Sequence, residues 1–179
     1  MKMETIADQT VIDAERFILR PVRRSDVGLL AMHMSDERVA RGTRMFPHPL
    51  PPGATEAFIA RAGDPMRVED IWVMDGSASG QPEVLGVIAL ERLDRDQSEI
   101  SYWVAPASWN TGLASDAVRA LIAARPQGAK TIFGSVFQDN PASARVLTNA
   151  GFAYLGDAET YSVARGGMVR TWTYSLKLG

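Results

Sequence analysis

Cysteine is absent from this 179-residue chain, and histidine occurs only twice. Without cysteine the chain can form no disulfide, no thiolate metal site and no covalent cysteine intermediate. Its histidines, His33 and His48, have no partners at metal-ligand spacing, and we interpret both as structural residues. No metal site is predicted.

Long apolar runs and an excess of positive charge are also lacking. The formal net charge is -2, from 19 basic and 21 acidic residues, so no basic field would gather nucleic acid or anionic lipid. No segment reaches the length of a membrane span, and residues 1–13 contain no apolar signal-peptide region. We therefore expect a cytoplasmic protein that binds neither nucleic acid nor membranes.

What the chain does contain is the material of one globular domain, with 46% hydrophobic residues. We assign residues 14–179 to this domain and residues 1–13 to an N-terminal tail or edge segment. Periodicity, capping residues and turn residues predict strands near 17–22, 71–74, 84–90, 99–104, 131–137, 152–163 and 169–176, and helices near 27–34, 55–62, 113–122 and 141–150. This order predicts an α/β domain, with a mixed sheet and helices on its faces.

The most informative segment is residues 109–114, where a predicted strand turns through small residues into a helix. The start of a helix offers unpaired backbone N–H groups and the positive end of the helix dipole, which together suit a phosphate. Gly112 and Ala114 add little bulk, so a pyrophosphate could approach the main chain. Packing alone could also explain small residues at these positions.

Several motifs together resemble the GNAT acetyltransferase superfamily, and within it the branch typified by the ribosomal-protein N-terminal (RimJ/RimL-type) acetyltransferases. The resemblance implies a GNAT-like fold, with a mostly antiparallel sheet of six to seven strands splayed in the middle and about four helices. The motifs that carry it, in chain order, are Leu19-Arg20-Pro21 with Asp26, His48-Pro49-Leu50-Pro51 ahead of Thr55-Glu56, residues 98–104, residues 109–117, residues 140–147 and Ala150-Gly151-Phe152.

This resemblance implies that acetyl-CoA lies in the splay between the strand ending at Val104 and the strand beginning near Thr131. The pantetheine arm would bond to the backbone of residues 103–105, and the pyrophosphate would meet the amides of residues 110–115. Many members carry Arg or Gln where this chain has Trp109, so backbone amides should hold the phosphates. The acetyl-CoA residues implied are Trp103, Val104, Ala105, Asn110, Thr111, Gly112, Leu113, Ala114, Ser115, Asn140 and Ser143.

Glu99 is the candidate general base. Strand alternation places it on the same side as Ser101 and Trp103, where it could take a proton from an attacking amine directly or through water. The alternative is an exposed strand residue that balances a cation. A backbone N–H near Val104 would stabilise the developing oxyanion.

Asn140 and Ser143 each allow a structural and a catalytic interpretation. Asn140 before Pro141 is a good helix N-cap, and Ser143 could satisfy a local backbone group. The resemblance adds that Asn140 bonds the pantetheine arm and that Ser143 could donate to the leaving thiolate. Many relatives place a tyrosine general acid where this chain has Leu147, which cannot donate a proton.

The function predicted is an acetyl-CoA-dependent acyltransferase that acetylates a primary amine by direct attack. A protein N-terminal α-amine is the first acceptor considered. The alternatives are a small-molecule amine acetyltransferase of the same fold and a non-catalytic acyl-CoA-binding regulatory module. Met45 and Phe46 could line the acceptor groove or belong to the core, and a homodimer is the default assembly.

Overall fold

An eight-stranded sheet forms the centre of the molecule in the computed structural model, which describes residues 9–179. The strand order is β1-β2-β3-β4-β5-β6-β8-β7, and every neighbouring pair is antiparallel except β5 and β6. The strands are β1 (Ile12–Asp13), β2 (Ile18–Pro21), β3 (Glu69–Asp75), β4 (Gly86–Leu93), β5 (Gln97–Val104), β6 (Thr131–Phe137), β7 (Ala153–Ser162) and β8 (Gly167–Lys177).

The described residues form five α-helices, one more than the sequence predicts. They are α1 (Val27–Met34), α2 (Glu37–Ala40), α3 (Ala54–Ala62), α4 (Leu113–Ala124) and α5 (Pro141–Asn149). The additional helix, α2, is a single turn whose N-cap Asp36 accepts from the Arg38 amide, and one turn is too short to give a periodic pattern. No helix within residues 9–179 combines the length and the apolar character that crossing a membrane requires.

The other additional element is β1, a two-residue strand at the edge of the sheet. It lies in the segment 1–13 that the sequence assigns to a tail or edge. Residues 1–8 of that segment lie outside the described residues. The mixed, mostly antiparallel sheet with helices on its faces confirms the predicted fold class.

The sheet opens between β5 and β6. These two parallel strands pair only from Gln97↔Thr131 to Ile100↔Gly134. Beyond that point β6 continues beside β8, while the last four residues of β5 pair only with β4. The predicted splay is therefore confirmed, and it lies at the C-terminal half of β5.

Two hydrophobic cores cover the two faces of the central strands. Consecutive residues of β3 alternate between them, since Trp72 and Met74 pack with α4 and α5 whereas Ile71 and Val73 pack with α1 and α3. Burying each such side chain stabilises the fold by about 1.5–3 kcal/mol relative to exposure. Both faces of the central strands are therefore covered by packed side chains.

Near the edge of the sheet, Arg20 is completely buried between two aspartates. Its guanidinium makes two hydrogen bonds to the Asp26 carboxylate, at 2.8 and 2.9 Å, and Nε donates to Asp75 Oδ2 at 2.7 Å. Burial on its own would raise the pKa of Asp75, but the hydrogen bonds from Arg20 and Ser77 outweigh it and hold that pKa below its usual range. The Leu19-Arg20-Pro21 motif with Asp26 therefore forms a buried ion cluster.

Candidate active site

The loop between β5 and α4 presents unpaired amides to a cleft. Gly112 is the N-cap of α4, with a left-handed φ of 82° and no side chain to cap the helix, and Asn110 is also left-handed at 61°. The amides in the first turn of an α-helix have no intrahelical acceptors, so they remain available for an anion. Residues 109–114, the predicted phosphate loop, thus lead into a helix start of this kind.

This loop lines a cleft of about 670 Å³ that runs between α4, α5 and the open part of β5. Of the predicted acetyl-CoA residues, Ala105 alone is not on its wall, because it is buried and its amide donates to the Leu85 carbonyl at 2.8 Å. The predicted residues that line the cleft are Trp103, Val104, Asn110, Thr111, Gly112, Leu113, Ala114, Ser115, Asn140 and Ser143.

The backbone of β5 alternates between its neighbours along the cleft. The Ala105 amide donates to Leu85, the residue just before β4. In an antiparallel pair the backbone groups of alternate residues face the same side, so those of Trp103 also face β4. The backbone groups of Tyr102 and Val104 face the other side, toward the opening. Val104 is thus the residue of 103–105 whose N–H and carbonyl face the cleft. An added strand-like ligand could bond there.

Trp109 has a role that the sequence does not predict. Its indole Nε1 donates to the Val104 carbonyl at 2.7 Å, which joins the loop to the end of β5. A carbonyl oxygen has two lone pairs, so Val104 can still accept from a ligand. The side chain at the position where many relatives carry Arg or Gln therefore fixes the loop backbone.

Four arginines from different elements also line the cleft, namely Arg38, Arg41, Arg145 and Arg165. Arg165, from the β7–β8 turn, donates to the Asp139 carboxylate at 2.6 Å and to the Arg41 carbonyl at 3.0 Å. The hydrogen bond from Arg165 lowers the pKa of Asp139. Sequence reasoning did not select Arg38, Arg41 or Arg145, because residues of separate elements form no local pattern, and Asp139 lines the same cleft beside Arg165.

A second cavity, of about 160 Å³, lies on the opposite face of the opening. Its apolar wall contains Phe46, Phe58 and Trp103. The rings of Phe58 and Trp103 make edge-to-face contacts with the Phe46 ring, at centroid distances of 5.8 and 6.2 Å. Phe46 thus belongs both to the core and to the cavity wall. The residues that line this cavity and the cleft alike are Gly42, Tyr102, Trp103, Asn140 and Ser143, so the two spaces meet at the opening of the sheet.

Glu99 lies on the face of the sheet that carries the second cavity. Its Oε2 is 3.8 Å from Arg44 Nη2, and its side chain is 21% exposed. Of the β5 residues on this face, Ser101 and Trp103 line the cavity wall, and Glu99 is one step further from the opening. The carboxylate is paired with a cation and is also accessible to water. These surroundings are compatible with a general base and with a surface carboxylate that balances a cation.

Sequence reasoning missed a second carboxylate, Glu69, which lines the cavity directly. The strand register places Glu69 opposite Glu91, and Glu91 opposite Glu99, so the three share one row across the sheet. Burial raises the pKa of Glu69, and the charge of Arg61 only partly opposes this effect. A single acidic residue at the start of a strand gives no signal for such a position.

Asn140 and Ser143 meet at the start of α5, as the resemblance implies. Asn140 Oδ1 accepts the Ser143 amide at 3.3 Å, so Asn140 is the helix N-cap. The Ser143 hydroxyl is 2.9 Å from the phenol of Tyr102, a residue that sequence reasoning did not select. Leu147 is buried under the opening, and a side chain at Gly134 would collide with it.

The histidines lie apart from one another. His33 packs its ring 5.9 Å from that of Trp103, and burial lowers the pKa of His33, whereas His48 is exposed in the loop before α3. Across residues 9–179 no three or more His, Asp or Glu side chains are grouped so that they could hold a metal ion.

Comparison with known proteins gives a consistent result. The family model for the acetyltransferase (GNAT) domain matches residues 16–153. The chain is 24% identical over 173 residues to an uncharacterized N-acetyltransferase, p20, of Bacillus licheniformis, covering 90% of this chain and 93% of that protein.

Two solved structures share the fold. RimL, a ribosomal L7/L12 α-N-protein acetyltransferase solved with coenzyme A, superimposes with a TM-score of 0.78 at 16% identity, covering 94% of this chain and 98% of that one. A spermidine N-acetyltransferase from Vibrio cholerae, solved with CoA and spermine, gives 0.76 at 14% identity, with 90% and 95% covered. Taken with the extent of the family match, these results show that the chain is an acyltransferase that belongs to the GNAT family of N-acetyltransferases.

Proposed function

We propose that the protein transfers an acetyl group from acetyl-CoA directly to an α-amine, with Glu99 as the general base. The observation that carries this proposal is the meeting of two spaces at the opening of the sheet, one lined by a phosphate-binding helix start and one lined by aromatic and charged side chains. Two substrates can therefore approach the same point from opposite faces. Direct transfer is part of this proposal, and the lack of cysteine supports it by excluding a cysteine thioester intermediate.

Acetyl-CoA is the acetyl donor, and the cleft fits it. Gly112 and the amides of residues 113–115 would hold the pyrophosphate, and the carbonyl of Val104 would accept a hydrogen bond from the pantetheine arm. The Val104 N–H is then left to stabilise the oxyanion of the transition state. The arginines of the cleft add positive charge around the phosphates.

An α-amine is the acceptor that the second cavity favours. Its charged wall contains Arg44 and Arg61 as well as Glu69, so it offers no excess of negative charge to a polyamine. A free α-amine has a pKa of about 7.7–8.0, whereas a lysine amine is near 10.4. Roughly a tenth of an α-amine is therefore already neutral near pH 7, far more than of a lysine amine, and a carboxylate partnered by Arg44 is a sufficient base.

A panel of acceptors tests this assignment. Purified protein is incubated with labelled acetyl-CoA and peptides with free N-termini, the same peptides with blocked N-termini and a free lysine side chain, free amino acids, and spermidine. We expect mass spectrometry to show acetylation of free α-amines and little of spermidine. Acetylation of spermidine alone would contradict the α-amine assignment, and binding without any transfer would indicate the regulatory module instead.

Replacing the base gives a second test of the proposed function. Glu99→Gln removes the proton acceptor but keeps the side-chain shape, so we expect kcat near pH 7 to fall about tenfold, because an α-amine needs only modest help. The dissociation constant for acetyl-CoA should change less than twofold, since Glu99 faces away from the cleft.

Glu91→Gln is the matched control for this prediction. Glu91 is the cross-strand neighbour of Glu99 on the same face, but it is one strand further from the opening. We expect its kcat to stay near the wild-type value. Equal losses in the two variants would show that charge on this face, and not proton transfer by Glu99, supports catalysis.

A further inference from the structure

Tyr102 and Ser143 bridge the opening of the sheet. Tyr102 belongs to the part of β5 that has separated from β6, and Ser143 belongs to the first turn of α5. The Tyr102 phenol lies 2.9 Å from Ser143 Oγ and 3.2 Å from the Ser143 carbonyl oxygen. Both residues line the cleft and the second cavity, so this contact stands where the two spaces meet.

The hydrogens of the two hydroxyls determine what the contact can do. The phenol has a single hydrogen, and two acceptors of residue 143 lie within its reach, Oγ at 2.9 Å and the carbonyl oxygen at 3.2 Å. The shorter contact accommodates either hydroxyl as the donor, and in one of the two arrangements the phenol donates to Oγ. When Ser143 Oγ accepts from Tyr102, its own single hydrogen is left for a group in the cleft.

We propose that Tyr102 is a positioning residue for the leaving group, which holds the Ser143 hydroxyl so that its hydrogen meets the sulfur of the acetyl donor. This inference rests on the proposed function. In the transfer, a bond forms between the amine nitrogen and the acetyl carbon, the carbon–sulfur bond breaks, and the sulfur leaves with the electron pair. The amine proton goes to Glu99 or water, and the thiolate receives the Ser143 hydrogen bond.

Tyr102 is suited to orienting a proton and not to giving one away. Burial raises the pKa of Tyr102 to about 12, and the hydrogen bond with Ser143 only partly opposes this effect. A thiol like that of cysteine has a pKa of about 8.5, so a phenol of this kind keeps its proton beside a thiolate. The phenol therefore remains a neutral donor over the pH range in which α-amines react.

Tyr102→Phe removes this hydroxyl and keeps the ring. We expect kcat with acetyl-CoA to fall about tenfold, the effect of weakening the hydrogen bond from Ser143 to the leaving sulfur, while KM for acetyl-CoA changes less than twofold. Tyr154→Phe is the matched control, because Tyr154 is an exposed tyrosine of β7 that lines neither space. That variant should retain wild-type kcat.

The choice of donor separates positioning from general structural damage. S-acetyl-4-nitrothiophenol, a diffusible donor, releases an acidic thiol that needs little stabilisation. We expect wild type and Tyr102→Phe to acetylate the same peptide from it at equal rates, so that the tenfold deficit appears only with acetyl-CoA. Equal deficits with both donors would overturn the proposal.

Ser143→Ala completes the experiment. If Tyr102 acts through Ser143, adding Tyr102→Phe to Ser143→Ala should lower kcat by less than twofold. A further tenfold loss in the double variant would overturn the proposal. Where Tyr102→Phe does not fold, Ser143→Ala with the two donors decides, since the same donor dependence is expected of it and equal deficits overturn the proposal. Lack of transfer from acetyl-CoA by wild type would contradict the proposed function itself.

Discussion

Gly112→Asp is expected to raise the dissociation constant for acetyl-CoA by about 100-fold, which corresponds to about 2.7 kcal/mol. Gly112 has a left-handed φ of 82°, a conformation that costs other residues about 1–2 kcal/mol. Relief of that strain would move the amides of the first turn of α4. The new carboxylate would also cap these amides itself and repel the phosphates. Isothermal titration calorimetry measures the effect.

Two variants separate the causes of this loss. Gly80→Asp is the matched control, because Gly80 has a similar φ of 76° and no atom that a Cβ would touch, and it lies in the β3–β4 turn. Gly112→Asn brings a similar side chain without the charge, so its affinity should lie between those of wild type and Gly112→Asp. Affinity in Gly112→Asp as high as in Gly80→Asp would contradict the assignment of this helix start to the phosphates.

Arg20→Met is expected to lower the free energy of unfolding by about 3–5 kcal/mol, because it leaves two buried carboxylates without their cation. The side chains of Arg20, Asp26 and Asp75 are 1%, 0% and 6% exposed. Chemical denaturation near pH 7 measures the change. Arg38→Met is the matched control, since Arg38 is 66% exposed in its ion pair with Asp36, and its removal should cost at most about 1 kcal/mol.

The loss of stability at low pH should be smaller in the same variant. In wild type the pKa of Asp75 is held below its unfolded value, so its contribution is present above about pH 4 and is lost as pH falls through the lower, folded pKa. Without Arg20, burial dominates and favours the protonated form of Asp75. Arg20→Met should therefore lose less stability than wild type on acidification from pH 6 to pH 3. Parallel curves would show that the cluster is not coupled through charge.

Most elements of the fold could be predicted from local sequence patterns. The strand at 131–137 and the helix beginning at Leu113 were predicted with the observed starts, because an apolar pattern and a distinct start signal coincide there. The single turn Glu37–Ala40 and the two-residue strand Ile12–Asp13 were not predicted. Segments so short depend on their neighbours and give no period of their own.

The residues of the candidate site fall into two similar groups, those that belong to local motifs and those placed by contacts distant in the chain. Residues 110–115, Asn140 and Ser143 belong to continuous motifs, and the structure brings them to one cleft. Glu69 and Tyr102 were missed, because each acquires its place through contacts with residues distant in the chain. The sequence also could not predict which backbone groups of residues 103–105 face the cleft, because their direction depends on the hydrogen bond between Ala105 and Leu85.

The opening between β5 and β6 also leaves part of a strand without a partner. Strand backbone without a partner is a template for pairing with other chains, and proteins usually protect such edges with charges, bulges or covering segments. Here the unpaired half of β5 lies inside a cleft, below the loop that Trp109 ties to Val104. The unpaired backbone of β5 is thus accessible to a narrow ligand in the cleft but not to a strand of another sheet.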